Sequence, residues 1–204
     1  MKENFSKVTE KLDEIDEQRE QILKISREII RECSISIKSI HRKNLDEYHT
    51  KIKKIEERLG EFRKLVDTYP GYFYKYLKTP EQEYAEAILL YSIIEEKQIP
   101  THLDLNIDPL HYTLGFADVV GELRRYILDK IRDSKVAEIN KILETMDEIY
   151  SHLFSLDYPS GLTKDLRHKT DVARKLLEKT RGDISVSIQM HKLTKLLKNS
   201  NKKM

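Results

Sequence analysis

From Val8 to His41 the chain places apolar residues at Leu12, Ile15, Ile22, Ile25, Ile29, Ile37 and Ile40, at helical spacing, with neither Gly nor Pro between them. Propensity alone does not hold so long a helix in water, so its apolar side must lie against partners. That single stretch commits the chain to helix-on-helix packing. The rest of the sequence agrees. Its 204 residues include only six Gly and five Pro, Glu, Lys, Leu and Ile are abundant, and no run alternates with a strand's period. The expected fold is all-α, with about seven helices in a single bundle.

A second helix is predicted from Leu45 to Thr68, with Ile52, Ile55, Leu59, Phe62, Leu65 and Val66 on its apolar side. Pro70-Gly71 breaks the chain, and Tyr72 to Lys78 forms a short aromatic and basic turn. Thr79-Pro80-Glu81-Gln82 reads as a helix start, with Thr79 as N-cap and Pro80 at the first helical position, leading to Lys97. IPTHLDLNIDP is a loop. Asp108-Pro109 repeats the start signal for a helix to Arg132. Ser134 caps a helix over Lys135 to Phe154, and Tyr158 to Gly161 is a turn. A last helix runs from Leu162 to Leu197, with Gly182 as a point of interruption. Residues 1–197 form one domain, and 198–204 form a basic flexible tail.

Composition excludes several classes. Apolar residues make up 39% of the chain and charged residues 35%, which leaves enough Ile, Leu and Tyr to build a core. The net charge of +2 means that any nucleic-acid contact must use local patches. A single cysteine, Cys33, excludes an internal disulfide, argues against a Cys-based zinc site within one chain, and fits a cytoplasmic location. The N-terminus is charged and has no secretory apolar stretch. No segment is long and apolar enough to span a membrane. His102, His111, His152, His168 and His191 show no paired metal-ligand spacing, and no nucleophile-elbow or phosphate-loop motif is present.

Four acids stand out. At about 100° per residue, Phe116, Val120, Leu123 and Ile127 share one side of their helix, while Asp118, Glu122 and Arg125 lie nearly opposite. Gly115 and Gly121 flank these acids. Each costs about 1 kcal/mol against Ala in a helix interior, so something is expected to come close to that face. On the preceding helix, Glu83 falls on the side of Ala87, Leu90 and Ile94, with Glu86 beside it. A carboxylate on an apolar stripe is costly unless it is paired or binds metal. The positive end of the helix dipole accounts for Glu81, less well for Glu83 and poorly for Glu86. If the two helices pack antiparallel, Glu83, Glu86, Asp118 and Glu122 can converge. Oxygen-only ligands suit Mg²⁺, with Mn²⁺ as the alternative, and such a site can activate water and stabilise a phosphoryl transition state. The competing reading is a solvated face carrying ordinary helix pairs.

GFADVVGELRR (115–125) resembles the G-x-A-D-x-x-G-E-L-x-R signature of the translin/TRAX family. EQEYAEA (81–87) resembles the Q-E-Y-x-E-A stretch of its TRAX branch. ILKISREIIRECSISIKSIHR (22–42) looks like the family's first-helix pattern, and RHKTDVARKLLEKTRGD (167–183) is a looser match. The resemblance implies a seven-helix bundle and an Mg²⁺-dependent endoribonuclease that cuts single-stranded RNA. Its catalytic and metal-binding acids would be Glu83, Glu86, Asp118 and Glu122, a set that translin proper lacks. It also implies a hollow homo-octamer with inward-facing sites, which the compact chain could form without a translin-type partner subunit. Three departures touch none of the acids: a short loop between the acid helices, Val119-Val120 in place of Leu-Thr, and Cys33 at a serine-like position.

Asp118 and Glu122 are then expected as direct or water-bridged metal ligands, with Glu83 or Glu86 orienting water or acting as base. Arg125 would neutralise phosphate or pair with Glu122. Lys75 and Lys78, set among Tyr72, Phe73, Tyr74 and Tyr76, suit single-stranded RNA or DNA, although the tyrosines also suit a helix junction or an interface. Arg124 is a weaker RNA candidate, as are Arg42 and Lys43. Two other functions remain open: a non-catalytic nucleic-acid-binding oligomer, and an all-α nucleoside triphosphate pyrophosphatase.

Overall fold

The computed structural model of the protein describes residues 1–131, 136–163 and 165–201. These residues form α1 (Lys2–His41), α2 (Leu45–Val66), the single turn α3 (Pro70–Phe73), a 3₁₀ turn (Tyr74–Tyr76), α4 (Lys78–Ile94), α5 (Pro109–Ile131), α6 (Val136–Ser155), the single turn α7 (Ser160–Thr163) and α8 (Leu166–Asn201). No strand occurs among the described residues, as expected for an all-α chain. The chain divides into two compact units, Met1–Gly115 and Phe116–Met204, and the division falls inside α5.

In the first unit α1 and α2 form a helical hairpin. The tight turn between them needs a left-handed residue, and Lys43 takes that conformation with φ 58°. Asn44 caps α2, accepting from the Glu47 N–H at 3.3 Å, while Glu47 accepts from Ser39 Oγ at 2.8 Å. Ile22, Ile29, Cys33, Ile37 and Ile40 of α1 are buried, as are Ile52, Ile55, Leu59, Phe62 and Val66 of α2. α4 packs on both helices. Pro80 to Leu90 of α4 is buried throughout, apart from the half-buried Glu83.

The start of α4 corrects the sequence reading. Leu77, not Thr79, is the N-cap residue, and no side chain caps the helix. The chain enters α4 directly from the 3₁₀ turn, with Leu77 buried in a helical conformation. Pro80 therefore sits in the third helical position. Its missing N–H costs nothing there, because N–H groups of the first turn have no partner within the helix. The other start signal is borne out: α5 begins at Pro109, and Asp108 Oδ1 accepts from the Leu110 N–H at 2.7 Å and the His111 N–H at 3.4 Å.

In the second unit Val119, Val120, Leu123 and Ile127 of α5 are buried, together with Ile139, Ile142, Met146, Ile149 and Leu153 of α6 and Leu166, Ala173, Leu177 and Ile184 of α8. α6 packs along α8, and Arg181 Nη2 meets Asp147 Oδ1 at 2.7 Å. α8 runs unbroken through Gly182, around which a side chain would meet nothing within 4 Å. It begins at Leu166 rather than Leu162 and continues to Asn201, past the expected start of the tail at 198; residues 202–204 lie outside the described residues. Ser134, the expected cap of α6, also lies outside them.

Candidate metal and nucleic-acid site

Glu81, Glu83 and Glu86 of α4 divide into two groups with different surroundings. Glu81 turns to a polar cluster at the start of α5. Arg63 Nε donates to its Oε1 at 2.9 Å, while its Oε2 pairs with His111 Nδ1 at 2.8 Å and accepts from the Asp108 N–H at 3.2 Å. Tyr74 extends the cluster, its hydroxyl donating to Asp108 Oδ2 at 2.8 Å. Burial pushes the Glu81 carboxyl up, but the His111 and Arg63 hydrogen bonds and the Arg63 charge outweigh it and hold the group below its ordinary value. The hydrogen bond to Asp108, then burial, pushes the Tyr74 phenol up to about 12. Glu81 is therefore a structural ion-pair hub, not only a helix-dipole acid.

Glu83 and Glu86 point elsewhere. Glu86 is buried and Glu83 half-buried, and both lie close enough to Cys33 on α1 for their charges to act on its thiol. Burial first, then Glu83, Glu86 and Glu32, pushes that thiol far above the usual range, so Cys33 is a core residue and no nucleophile. Glu32, which the sequence reading passed over as an acid, is held by Lys51 Nζ at 2.6 Å.

Gly115 explains how this turn of α4 is fixed. A methyl built on it would lie 2.7 Å from Ala85 Cβ, 2.9 Å from the Gln82 carbonyl oxygen and 3.2 Å from the Glu86 backbone nitrogen. Only glycine lets the backbone of α5 approach the turn of α4 that carries Glu83 and Glu86. The neighbour at this glycine is thus a helix. Gly121 is different: a methyl there would meet only Leu176 Cδ1, at an ordinary 3.8 Å.

In the second unit Asp118 and Glu122 of α5 each carry a basic partner. Asp118 is ion-paired with Lys169 of α8. Glu122 Oε2 lies 3.5 Å from Arg125 Nη1, the intrahelical pair weighed above. Both acid side chains are about a quarter exposed (26% and 24%), so they are sheltered and not on a fully solvated face. Lys169 was missed in the sequence because a pair 51 residues apart leaves no local spacing signal; the loose RHKTD match was the one pointer. Arg124 is committed to the fold. Its Nη1 donates to Thr180 Oγ1 at 2.9 Å and its Nη2 meets Asp183 Oδ2 at 2.7 Å, which leaves little of the guanidinium for RNA.

Around the 3₁₀ turn, Tyr72, Tyr74 and Lys75 are exposed, and Lys75 Nζ sits over the Tyr76 ring, 5.2 Å from its centre. Lys78 is half-buried. Phe73 and Leu77 are buried, and Tyr76 accepts from Arg19 Nε at 3.2 Å. The cluster therefore combines junction aromatics with an exposed aromatic and basic edge.

Glu83, Glu86, Asp118 and Glu122 offer only oxygen donors, and the two on α5 already attract basic groups. That chemistry fits a hard divalent cation. Among the described residues, no three His, Cys, Asp or Glu side chains are gathered so that they could hold a metal ion. No helix among them is long and apolar enough to cross a membrane.

The model of the Translin family matches residues 17–181. The chain is 41% identical over 185 residues to an uncharacterised protein, MJ0175, of Methanocaldococcus jannaschii, covering 90% of this chain and 82% of that one. It is 23% identical over 198 residues to the Translin-associated protein X homolog of Schizosaccharomyces pombe, covering 89% and 86%. Among solved structures it resembles AfC3PO (TM-score 0.83, 32% identity, 92% of this chain and 98% of that one) and an AfC3PO–duplex RNA complex (TM-score 0.82, 31% identity, 92% and 97%).

Proposed function

This chain belongs to the Translin family, and from that premise we propose that it is a Mg²⁺-dependent endoribonuclease acting on single-stranded RNA. The observation that carries the reading is the complete acid set Glu83, Glu86, Asp118 and Glu122, set in the sequence contexts of the TRAX branch. The likeness to a relative named Translin-associated protein X and to AfC3PO supports it.

Asp118 and Glu122 would hold the ion, with Mn²⁺ as a substitute. When bound, it supplies Lewis-acid stabilisation of the phosphoryl group and lowers the pKa of water. A carboxylate oxygen of Glu83 or Glu86 would take the proton of the attacking water. Arg125, half-exposed beside Glu122, can leave that weak pair for a phosphate oxygen. Lys75 and Lys78 with Tyr72 and Tyr74 would guide the strand by phosphate pairing and stacking. Copies of the chain would assemble, as an octamer, through apolar stripes that the single chain leaves exposed: Phe5, Val8 and Leu12 on α1, and Val186, Met190, Leu193 and Leu197 on α8.

The test is cleavage of labelled RNA, single-stranded and duplex, with Mg²⁺ or EDTA, by the wild type and Glu122→Ala. Expected are Mg²⁺-dependent cleavage of the single strand and a loss of about 100-fold or more in the variant. Equal cleavage by the two proteins would overturn the assignment. RNA binding without cleavage would instead favour a non-catalytic binding oligomer, and preference for duplex would move the substrate toward the RNA form in the AfC3PO complex.

A further inference from the structure

We propose that Lys169 is a built-in competitor for the divalent ion: its ammonium holds Asp118 in the metal-free protein and gives up the carboxylate when an ion enters. The inference rests on the reading of Asp118 as a metal ligand.

Three features distinguish Lys169 from an ordinary surface partner. First, the pair is sheltered on both sides, with side chains 24% and 26% exposed. Its charges are therefore less screened than those of Arg125 and Glu122, where the arginine is half-exposed and the separation is 3.5 Å. Second, the backbone under Lys169 is fixed by its buried neighbours, so the side chain alone can move. Thr170 is buried, with its hydroxyl donating to the Leu166 carbonyl at 2.9 Å, and Leu166 and Ala173 are buried to either side. The four-carbon stem of lysine lets the ammonium swing away without moving the helix. Third, the tie between α5 and α8 does not depend on this pair. Arg124 already makes it, through Thr180 and Asp183. A lysine on an acid that the helix packing does not need is suited to exchange, because a compact ammonium and a divalent ion compete for the same oxygens.

The linkage is thermodynamic. An ion must displace the ammonium, so its apparent affinity is reduced by the fraction of molecules in which Lys169 occupies Asp118. Removing the positive charge should therefore tighten metal binding, whereas loss of a merely structural salt bridge would leave it unchanged or weaken it.

The experiment is calorimetric titration of the full-length protein with MnCl₂ in low-salt buffer, with no RNA present. It compares wild type, Lys169→Met, Lys169→Gln, Lys169→Arg, Asp118→Asn and the Asp118→Asn/Lys169→Met double variant, each checked for helical content by circular dichroism. Expected is about three- to tenfold tighter Mn²⁺ binding by Lys169→Met or Lys169→Gln, wild-type affinity in Lys169→Arg, and no tightening in the double variant. Two uncharged variants are included so that a folded one is available for titration. Unchanged or weaker binding in a folded uncharged variant, with Asp118→Asn still weakened, would overturn the competitor role and leave the metal site standing. No Mn²⁺ binding by any variant would overturn the metal site, and the competitor role with it.

Discussion

Gly115 and Gly121 look alike in the sequence, two glycines flanking two acids, yet their surroundings give opposite expectations. At Gly115 a methyl would press on the backbone of α4 at 2.9 and 3.2 Å as well as on Ala85. Gly115→Ala should destabilise the protein by about 1–3 kcal/mol, because backbone cannot step aside as a flexible side chain can. Gly121→Ala meets only one leucine methyl at van der Waals distance, so it should be neutral or stabilising by up to about 1 kcal/mol. Urea unfolding of the two variants measures both; a stable Gly115→Ala would refute the close-approach account. Should Gly121→Ala gain stability but lose RNA affinity, that glycine serves the ligand and not the fold. Glu81 supplies the pH prediction at this scale. Its folded-state carboxyl lies below the ordinary 4.5. It therefore contributes stability in full above about pH 4.5, and this is lost as pH falls through the depressed value. Glu81→Gln should cost about 3 kcal/mol near neutral pH, since it leaves the Arg63 charge buried without its partner. The variant's unfolding free energy should also fall less steeply than the wild type's below pH 4.5.

At the scale of elements, helix starts show what sequence chemistry can and cannot reveal. Asp108-Pro109 marks the start of α5 because the cap is local: the Asp108 side chain bonds N–H groups two and three residues on. Thr79-Pro80 carries the same signal, but α4 begins earlier, because a buried Leu77 and the preceding 3₁₀ turn set the entry of the chain. Packing overrode a local preference there. Likewise Arg124 and Arg125 are neighbours in one basic dipeptide. A 100° step turns Arg124 onto Thr180 and Asp183 and leaves Arg125 half-exposed. Arg124→Ala should therefore lower the thermal midpoint with little change in the salt dependence of RNA binding. Arg125→Ala should leave the midpoint near wild type and reduce the slope of log affinity against log salt by about 0.7 to 1. The reverse pattern in paired melting and fluorescence-anisotropy measurements would exchange their roles.

At the scale of the whole molecule, the helical class and the acid-bearing helices were legible in the chain, because periodicity and cap chemistry are local properties. The counter-cations were not. Lys169 and Arg63 reach their carboxylates from other helices, and no spacing rule encodes such a meeting. Exposed apolar stripes at the ends of α1 and α8 are a further feature of this scale. Leu12 was visible as the start of a helical pattern, but its exposure appears only once the remaining apolar residues have found a core. Phe5→Glu and Leu193→Glu should each reduce the molecular mass measured by light scattering, without loss of helical signal; an unchanged assembly in both would place the subunit interface elsewhere. Cys33 also has a use beyond packing. It is the sole thiol of the chain, fully buried and electrostatically disfavoured as a thiolate beside Glu83 and Glu86. A disulfide reagent can reach it only when that region opens, so its labelling rate becomes a clock for breathing of the interior that carries two of the four acids. No residue need be introduced to read it.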